Sequence, residues 1–227
     1  APIGTSYFEM FKGVFGSKFA FSEMLTRATP LIFTGLAAAL AFRARLWNIG
    51  AEGQLYLGAM AAVAVGTGVF DVSGMFLIPI IMVMGCAAGA TGMAFPTVLK
   101  TKFGADEVVT TLLLNFIILF FLQYMLEGPL KDPMGLGWPQ SSPILDQGML
   151  PTLMDRMRIH SGLIIALVCA AIAQFMLVRS VWGLKLRAIG ENASAARHAG
   201  IRVNRTLMSA AIVSGALAGM AGVSEVA

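Results

Sequence analysis

Three polar segments interrupt an otherwise apolar chain, and their residue types suit recognition more than bond-making. The first is Leu46-Trp47-Asn48-Ile49-Gly50-Ala51-Glu52-Gly53-Gln54. It places Asn48, Glu52 and Gln54 at the mouth of two apolar runs, with Gly50 and Gly53 loosening any helix between them. A carboxylate at bilayer depth costs about 2.5–3.5 kcal/mol even on a lenient scale. Glu52 therefore lies at the interface or faces a wet cavity with a partner, for which Arg43 and Arg45 are candidates. Two readings stand, an interfacial turn with a solvated Glu52 and a broken helix lining a solute path.

The second segment is Gly104-Ala105-Asp106-Glu107-Val108-Val109-Thr110-Thr111, followed by Asn115. Acids just before a long apolar run complement a helix start, and Asp106 can cap it. Asn115 sits two turns further on, with Thr111 one turn before it. Its amide needs a hydrogen-bond partner, from another helix or from a bound solute. The third segment is Arg187–Ile201, which contains Gly190, Glu191, Asn192, Ala195, Ala196, Arg197 and Gly200. Asn192 is a good N-cap, Ala193–Ala199 favour helix, and Gly200 fits a left-handed exit. A two-turn helix alone in water is marginal, so something must hold it. A face of Ala195, Ala196 and Ala199 would let a partner approach closely. A docking helix for a cytoplasmic protein is the natural reading, and a connector lying on lipid headgroups is the alternative.

Enzyme chemistry finds no support. The chain has no G-x-x-x-x-G-K-[ST] loop, no H-E-x-x-H and no G-x-S-x-G. Cys86 and Cys169 lie inside apolar runs and read as packing residues, not as a disulfide or metal pair. No metal or cofactor is implied.

The elements that position these segments are membrane-spanning helices. Of 227 residues, 57% are hydrophobic and 12% charged, against about 45–50% and about 25% in a globular protein. So few charges cannot cover a soluble surface. A net charge of +4 on this background excludes a nucleic-acid binder and reads as loop bias. Apolar runs predict six crossings, at Ala28–Phe42, Gly53–Phe70, Met75–Leu99, Val108–Leu126, Gly162–Val178 and Leu207–Val223. The first is short for a hydrocarbon core about 30 Å thick, and is extended by the Ser22–Thr29 turns.

Arg179–Arg205 carries six basic residues against Glu191 alone, which puts it in the cytoplasm. Alternation then places Arg43–Glu52 and Lys100–Glu107 inside. Ala1–Arg27, Asp71–Gly74 and Glu127–Ser161 fall outside, so His160 and His198 lie on opposite sides. The phenylalanine-rich start, residues 1–27, reads as an outer interfacial segment, and both chain ends look truncated. Gly85-xxx-Gly89 and Gly215-xxx-Gly219 read as helix-packing notches. The outer loop at 127–161, with Pro129, Pro133, Pro139 and Pro143, cannot be regular helix and reads as a passive connector, with a cap on the pathway or a contact for an external partner as the alternative.

Three strings carry a resemblance: Leu46–Gln54 with Leu57-Gly58-Ala59, Asp106–Asn115, and Gly190–Ile201. Together they resemble permease subunits of bacterial ABC importers of the ribose and branched-chain amino acid permease superfamily, closest to its nucleoside or simple-sugar type. Trp47 stands where many relatives have Phe, which keeps the bulk. The resemblance implies an all-α polytopic transmembrane bundle, one permease domain over 1–227, in the bacterial inner membrane. It implies cytoplasmic ABC ATPase subunits, a second permease subunit and an external solute-binding receptor as partners. The loop at 179–205 would dock the ATPase through Gly190–Ile201. Asn48, Glu52, Gln54, Thr111 and Asn115 would line the solute path. The expected cargo is a nucleoside, with a simple sugar or branched-chain amino acid as the rival. An ion-coupled carrier or channel is the rival of another class, and the absence of an acid in the central spans argues against it.

Overall fold

The computed structural model describes residues 3–68, 73–154 and 157–227. Among them are nine α-helices: α1 (Ile3–Phe15), α2 (Lys18–Arg43), α3 (Ala51–Gly66), α4 (Gly74–Phe103), α5 (Glu107–Glu127), α6 (Gly162–Arg179), α7 (Val181–Glu191), α8 (Ala193–His198) and α9 (Val203–Val226). Five of them, α2, α4, α5, α6 and α9, are long and apolar enough to cross a membrane. The sixth expected crossing is α3, with 16 residues. It is about 24 Å long, and packs against α4, α5 and α9.

Local chemistry sets several ends. The Ser17 side chain accepts from the Ala20 N–H at 3.0 Å and starts α2 ten residues ahead of the uncharged Ala28–Phe42 run. Residues 18–27 thus belong to the first spanning helix and not to a separate interfacial segment. Helix α1 is separate from it and buries no side chain. Asp106 caps α5 as expected, accepting from the Val108 and Val109 N–H groups at 2.8 and 3.2 Å. The end of α2 is less conventional. The Leu46 N–H donates to the Ala41 carbonyl across a left-handed residue, and that residue is Arg45 at φ 51°. A non-glycine residue there costs on the order of 1–2 kcal/mol, so the turn is held by the packed segment that begins at Leu46.

Helix α9 is the axis of the bundle, packed against α2, α3 and α4. Its contact with α4 is backbone to backbone. A Cβ at Gly89 would collide with the Gly215 carbonyl, and one at Gly219 with the Gly85 carbonyl. On its other flank, a Cβ at Gly222 would strike the Leu55 carbonyl of α3, and one at Gly58 the Gly219 carbonyl. The two predicted notches are therefore two halves of one contact. Hydrocarbon gives helices no reason to associate, so this close dispersion contact is what joins them.

The outer loop is not a free connector. Ile144 is buried among Val63, Leu77, Ile81 and Val223, and the Leu145 and Leu150 N–H groups donate to the Gly66 and Ala227 carbonyls at 2.9 and 2.7 Å. It closes the outer ends of α3, α4 and α9. His160 beneath it accepts the Gly162 N–H at its Nδ1 (3.2 Å), and burial pushes its pKa below the ordinary value against a partial upward pull from Glu225. The predicted outer turn Asp71–Gly74 lies partly outside the described residues, as does the end of the predicted run Gly53–Phe70.

Over-packing the glycine contact should therefore be costly. Gly219→Leu is expected to lose at least about 3 kcal/mol, seen as failure to recover folded protein from membranes. Gly35→Ala, which meets nothing within 4 Å, should be neutral or slightly stabilising in a thermal-shift assay of the purified protein.

Candidate functional site

Between α2 and α3 the chain stops being helical at Ala44–Gly50 and turns back into the bundle. Its partners fix how far it re-enters. Asn48 meets Ser214, eleven residues into α9, and Gly53 meets Asn115, eight residues into α5. At 1.5 Å per residue these points lie about 12–16 Å inside the helix ends. The start of α3 is thus well inside the bundle, and Glu52 does not sit at a helix-end mouth as expected. With Glu52 at that depth, the absence of an intramembrane acid no longer counts against an ion-coupled carrier.

Backbone polar groups at that depth have no water to turn to, so protein groups must satisfy them. The N-cap residue of α3, Gly50, has no side chain to offer. Asn115 supplies the cap from α5: its Oδ1 accepts the Gly53 N–H at 2.9 Å, and its Nδ2 donates to the Ile49 carbonyl at 3.1 Å. Of the two partners open to this amide, the structure provides the other helix.

Asn48 does the same from within the loop. Its Oδ1 accepts the Gly50 N–H at 3.1 Å and the Gln54 Nε2 at 2.8 Å. Its Nδ2 donates to Gln54 Oε1 at 2.9 Å and to Ser214 Oγ at 3.0 Å. All four hydrogen-bonding positions of this amide are engaged. The chain of bonds continues, since Ser214 donates to the Ala37 carbonyl at 2.7 Å and Gln54 Nε2 approaches Met93 Sδ at 3.5 Å. Five places in the bundle are tied at one point: α2, the loop, α3, α4 and α9. Asn48 is 3% exposed, Gln54 1% and Ser214 0%. In this conformation Asn48 has no bond to offer a solute.

The other pathway candidates divide. Thr111 is buried against Gly50, and its hydroxyl donates to the Glu107 carbonyl at 2.7 Å. Glu107 is also buried, and pairs with Lys100. Glu52 is exposed and accepts from the Tyr56 hydroxyl at 3.0 Å; among the described residues it makes no ion pair with Arg43 or Arg45.

The third segment packs at the end of the bundle where α2 finishes and α9 begins. Asn192 caps α8, accepting from the Ala195 N–H at 3.0 Å, and Gly200 leaves it at φ 82°, as expected. What holds this short helix is α7. Ser180 caps α7 through the Gly183 N–H at 3.0 Å, and Leu186 and Ile189 enter a buried cluster with Ala41, Ala44, Leu46, Val203 and Leu207. Gly190 sits so close to α2 that a Cβ would strike the Arg43 carbonyl. Ala196 belongs to that same cluster at 5% exposure, so it faces the bundle and not a partner. The free face is Glu191, Asn192, Ala195, Arg197 and Ala199, with Gly200 at its end.

A second polar place lies at the outer end, where a cavity of about 380 Å³ is bordered by Glu23, Arg27, Arg158, His160 and Glu225. Arg158 Nε stands 3.8 Å from Glu23 Oε1. These residues come from distant segments, and no local motif joins them.

The amide contacts make unequal demands. Asn48→Leu strands the Gly50 N–H and half of Gln54 in the interior, and should cost about 3 kcal/mol or more. Asn115→Leu strands two backbone groups at a partly open position, and should cost about 1–2 kcal/mol. Thermal unfolding in detergent reads the order, and equal losses would show that the two amides are not placed as described.

Comparison with known proteins places this arrangement. The model of a family described as branched-chain amino acid transport system / permease component matches residues 20–227. The guanosine ABC transporter permease protein NupP of Bacillus subtilis (strain 168) is 37% identical over 98% of this chain and 64% of its own length. The glucose ABC transporter permease protein TsgB13 of Haloferax volcanii is 33% identical over 98% of this chain and 60% of its own. The nucleoside ABC transporter permease protein NupB of Lactococcus lactis subsp. cremoris is 32% identical over 96% and 62%. The chain spans less than two thirds of the length of these curated relatives. No solved structure matches it. A matching model across nearly the whole sequence, on a bundle of spanning helices with a held inner helix, makes the chain a member of the family of permease components of branched-chain amino acid transport systems.

Proposed function

We propose that this chain forms one half of the solute pathway of an ATP-driven importer in the bacterial inner membrane, with a nucleoside as its cargo. The observation that carries the reading is the α7–α8 element. Two short helices are seated on the inner ends of α2 and α9 by buried apolar side chains, while Ala195, Arg197 and Ala199 stay exposed. A short helix that is fixed at its base and bare at its tip can transmit a push from outside without bending. The push would come from an ATPase subunit on the cytoplasmic side, since this chain has no phosphate-binding loop of its own.

A second permease subunit is supported by Glu52. An exposed carboxylate some 12 Å along the bundle is costly against lipid. It is better placed facing a water-filled path shared with a partner. Tyr56 donates its hydroxyl to it, and Asn115 bonds the next residue, Gly53. Opening the Asn48–Gln54 pair in another state would free two further amides to replace solute hydration. The nucleoside is favoured over a sugar because two of the three relatives named above carry guanosine or nucleoside in their names. An external receptor would meet the outer ends, where the polar cavity opens.

In the complete transporter with its ATPase, Ala195→Trp should lower ATP-driven uptake at least about tenfold, equivalent to about 1.4 kcal/mol of lost docking. Its abundance in the membrane should not change, because Ala195 is exposed. Full uptake by this variant removes the coupling role. In a strain deleted for this chain, labelled guanosine uptake should fall and return on complementation. Loss confined to labelled glucose would transfer the assignment to a sugar.

A further inference from the structure

The inner surface carries a cationic cleft that adjoins the docking face at Ala199 and Gly200. It lies between α7 and the start of α9, has a volume of about 540 Å³, and is bordered by Trp182, Lys185, Ile201, Arg202, Arg205 and Ser209. Lys185, Arg202 and Arg205 are all exposed, and none forms an ion pair among the described residues. The only acid between residues 179 and 205 is Glu191, at the far end of α7. Trp182 forms the floor, with its ring against the buried cluster and its Nε1–H donating to Ser209 Oγ at 2.8 Å.

The surroundings say what such a cleft would meet. Helix α6 presents Ile164, Leu167, Val168, Ile172, Phe175 and Val178 outward, an apolar stripe suited to lipid. The stripe does not stop at the end of α6. Val181 is 67% exposed and Leu184 58%, so it continues onto the flank of α7, and Val181 is also on the rim of the cleft. Three free cations and an interfacial tryptophan thus stand where the apolar stripe gives way to the cytoplasm. That is the level of the phosphates in the inner leaflet.

We infer that this cleft binds the phosphate headgroup of an anionic phospholipid from the cytoplasmic leaflet, with its acyl chains lying along Val178, Val181 and Leu184. Lys185, Arg202 and Arg205 neutralise the phosphate, and Trp182 sits at the boundary between headgroup and chain. The inference rests on the cytoplasmic placement of residues 179–205, not on the identity of the cargo.

The full-length permease in nanodiscs of phosphatidylcholine doped with phosphatidylglycerol, released into the mass spectrometer, is the direct test. Wild-type protein should retain phosphatidylglycerol in preference to phosphatidylcholine, and millimolar inorganic phosphate should not displace it. Lys185→Gln/Arg202→Gln/Arg205→Gln should weaken retention about a hundredfold, from the loss of three charges at a membrane surface. Arg202→Lys/Arg205→Lys should keep it within about threefold and shows that the surface still folds. Equal retention by wild type and the triple Gln variant overturns the site. So does displacement by inorganic phosphate, which would make it a site for a free anion. Loss of ATPase association in the triple variant with lipid retention unchanged also overturns it, and gives the cleft to the motor subunit.

Discussion

A chain that stops being helical inside a membrane must find partners there for every backbone N–H and carbonyl it exposes. This one stops at Ala44–Gly50, and two asparagines meet the demand at the Gly50 and Gly53 N–H groups and the Ile49 carbonyl. Asn115 reaches across from α5 to cap the start of α3, while Asn48 folds back on its own loop and locks Gln54 and Ser214. The Asn48 set has no slack, while Asn115 keeps one donor and one acceptor position free among the described residues. Asn48 uses every donor and acceptor it has, so moving any of the five joined segments breaks a buried hydrogen bond. Bonds of this kind are strong because no water competes for them, and costly to leave half-made for the same reason. The cluster therefore fixes the register of α2, α3, α4 and α9 against one another.

Close packing is what lets those segments come near enough. The glycines of α4 and α9 bring backbones into contact, and those of α3 extend the contact to a third helix. The same device recurs at the inner surface, where Gly190 lays α7 directly on the end of α2. Arg43, at that contact, is only five residues from Asn48. Any displacement of α7 and α8 would thus be delivered within a few residues of the polar cluster, without a long relay. The left-handed Arg45 lies on that short path.

Much of this was legible in the residues, and what was not has identifiable causes. Apolar runs locate the spanning helices because a lipid environment admits few other patterns. Asp106, Asn192 and Gly200 fall where caps and exits require those residue types. The start of α2 was hidden because Lys18, Glu23 and Arg27 break the apolar run, although Ser17 marks the cap. Helix α7 was hidden because its apolar residues are shared between two surfaces, with Leu186 and Ile189 inward and Val181 and Leu184 outward. The orientation of Ala196 follows from that seating, which no local pattern encodes. The depth of Glu52 was misplaced because Ala44–Gly50 turns inward, and a left-handed arginine gives no sign of such a turn. Asn115 was rightly marked as an amide needing a partner, but only folding selects the start of α3 over a solute.

The central claim is that Asn48 and Gln54 act as one closed unit that holds the interrupted helix in place. A double-mutant cycle on the complete permease, with Asn48→Ala, Gln54→Ala and the pair compared by unfolding in detergent, measures it most directly. The account predicts an interaction energy of about 1–3 kcal/mol, the second substitution costing little once the first is made. Strict additivity, with each loss independent of the other, would mean that the two amides do not share a network and would contradict the account.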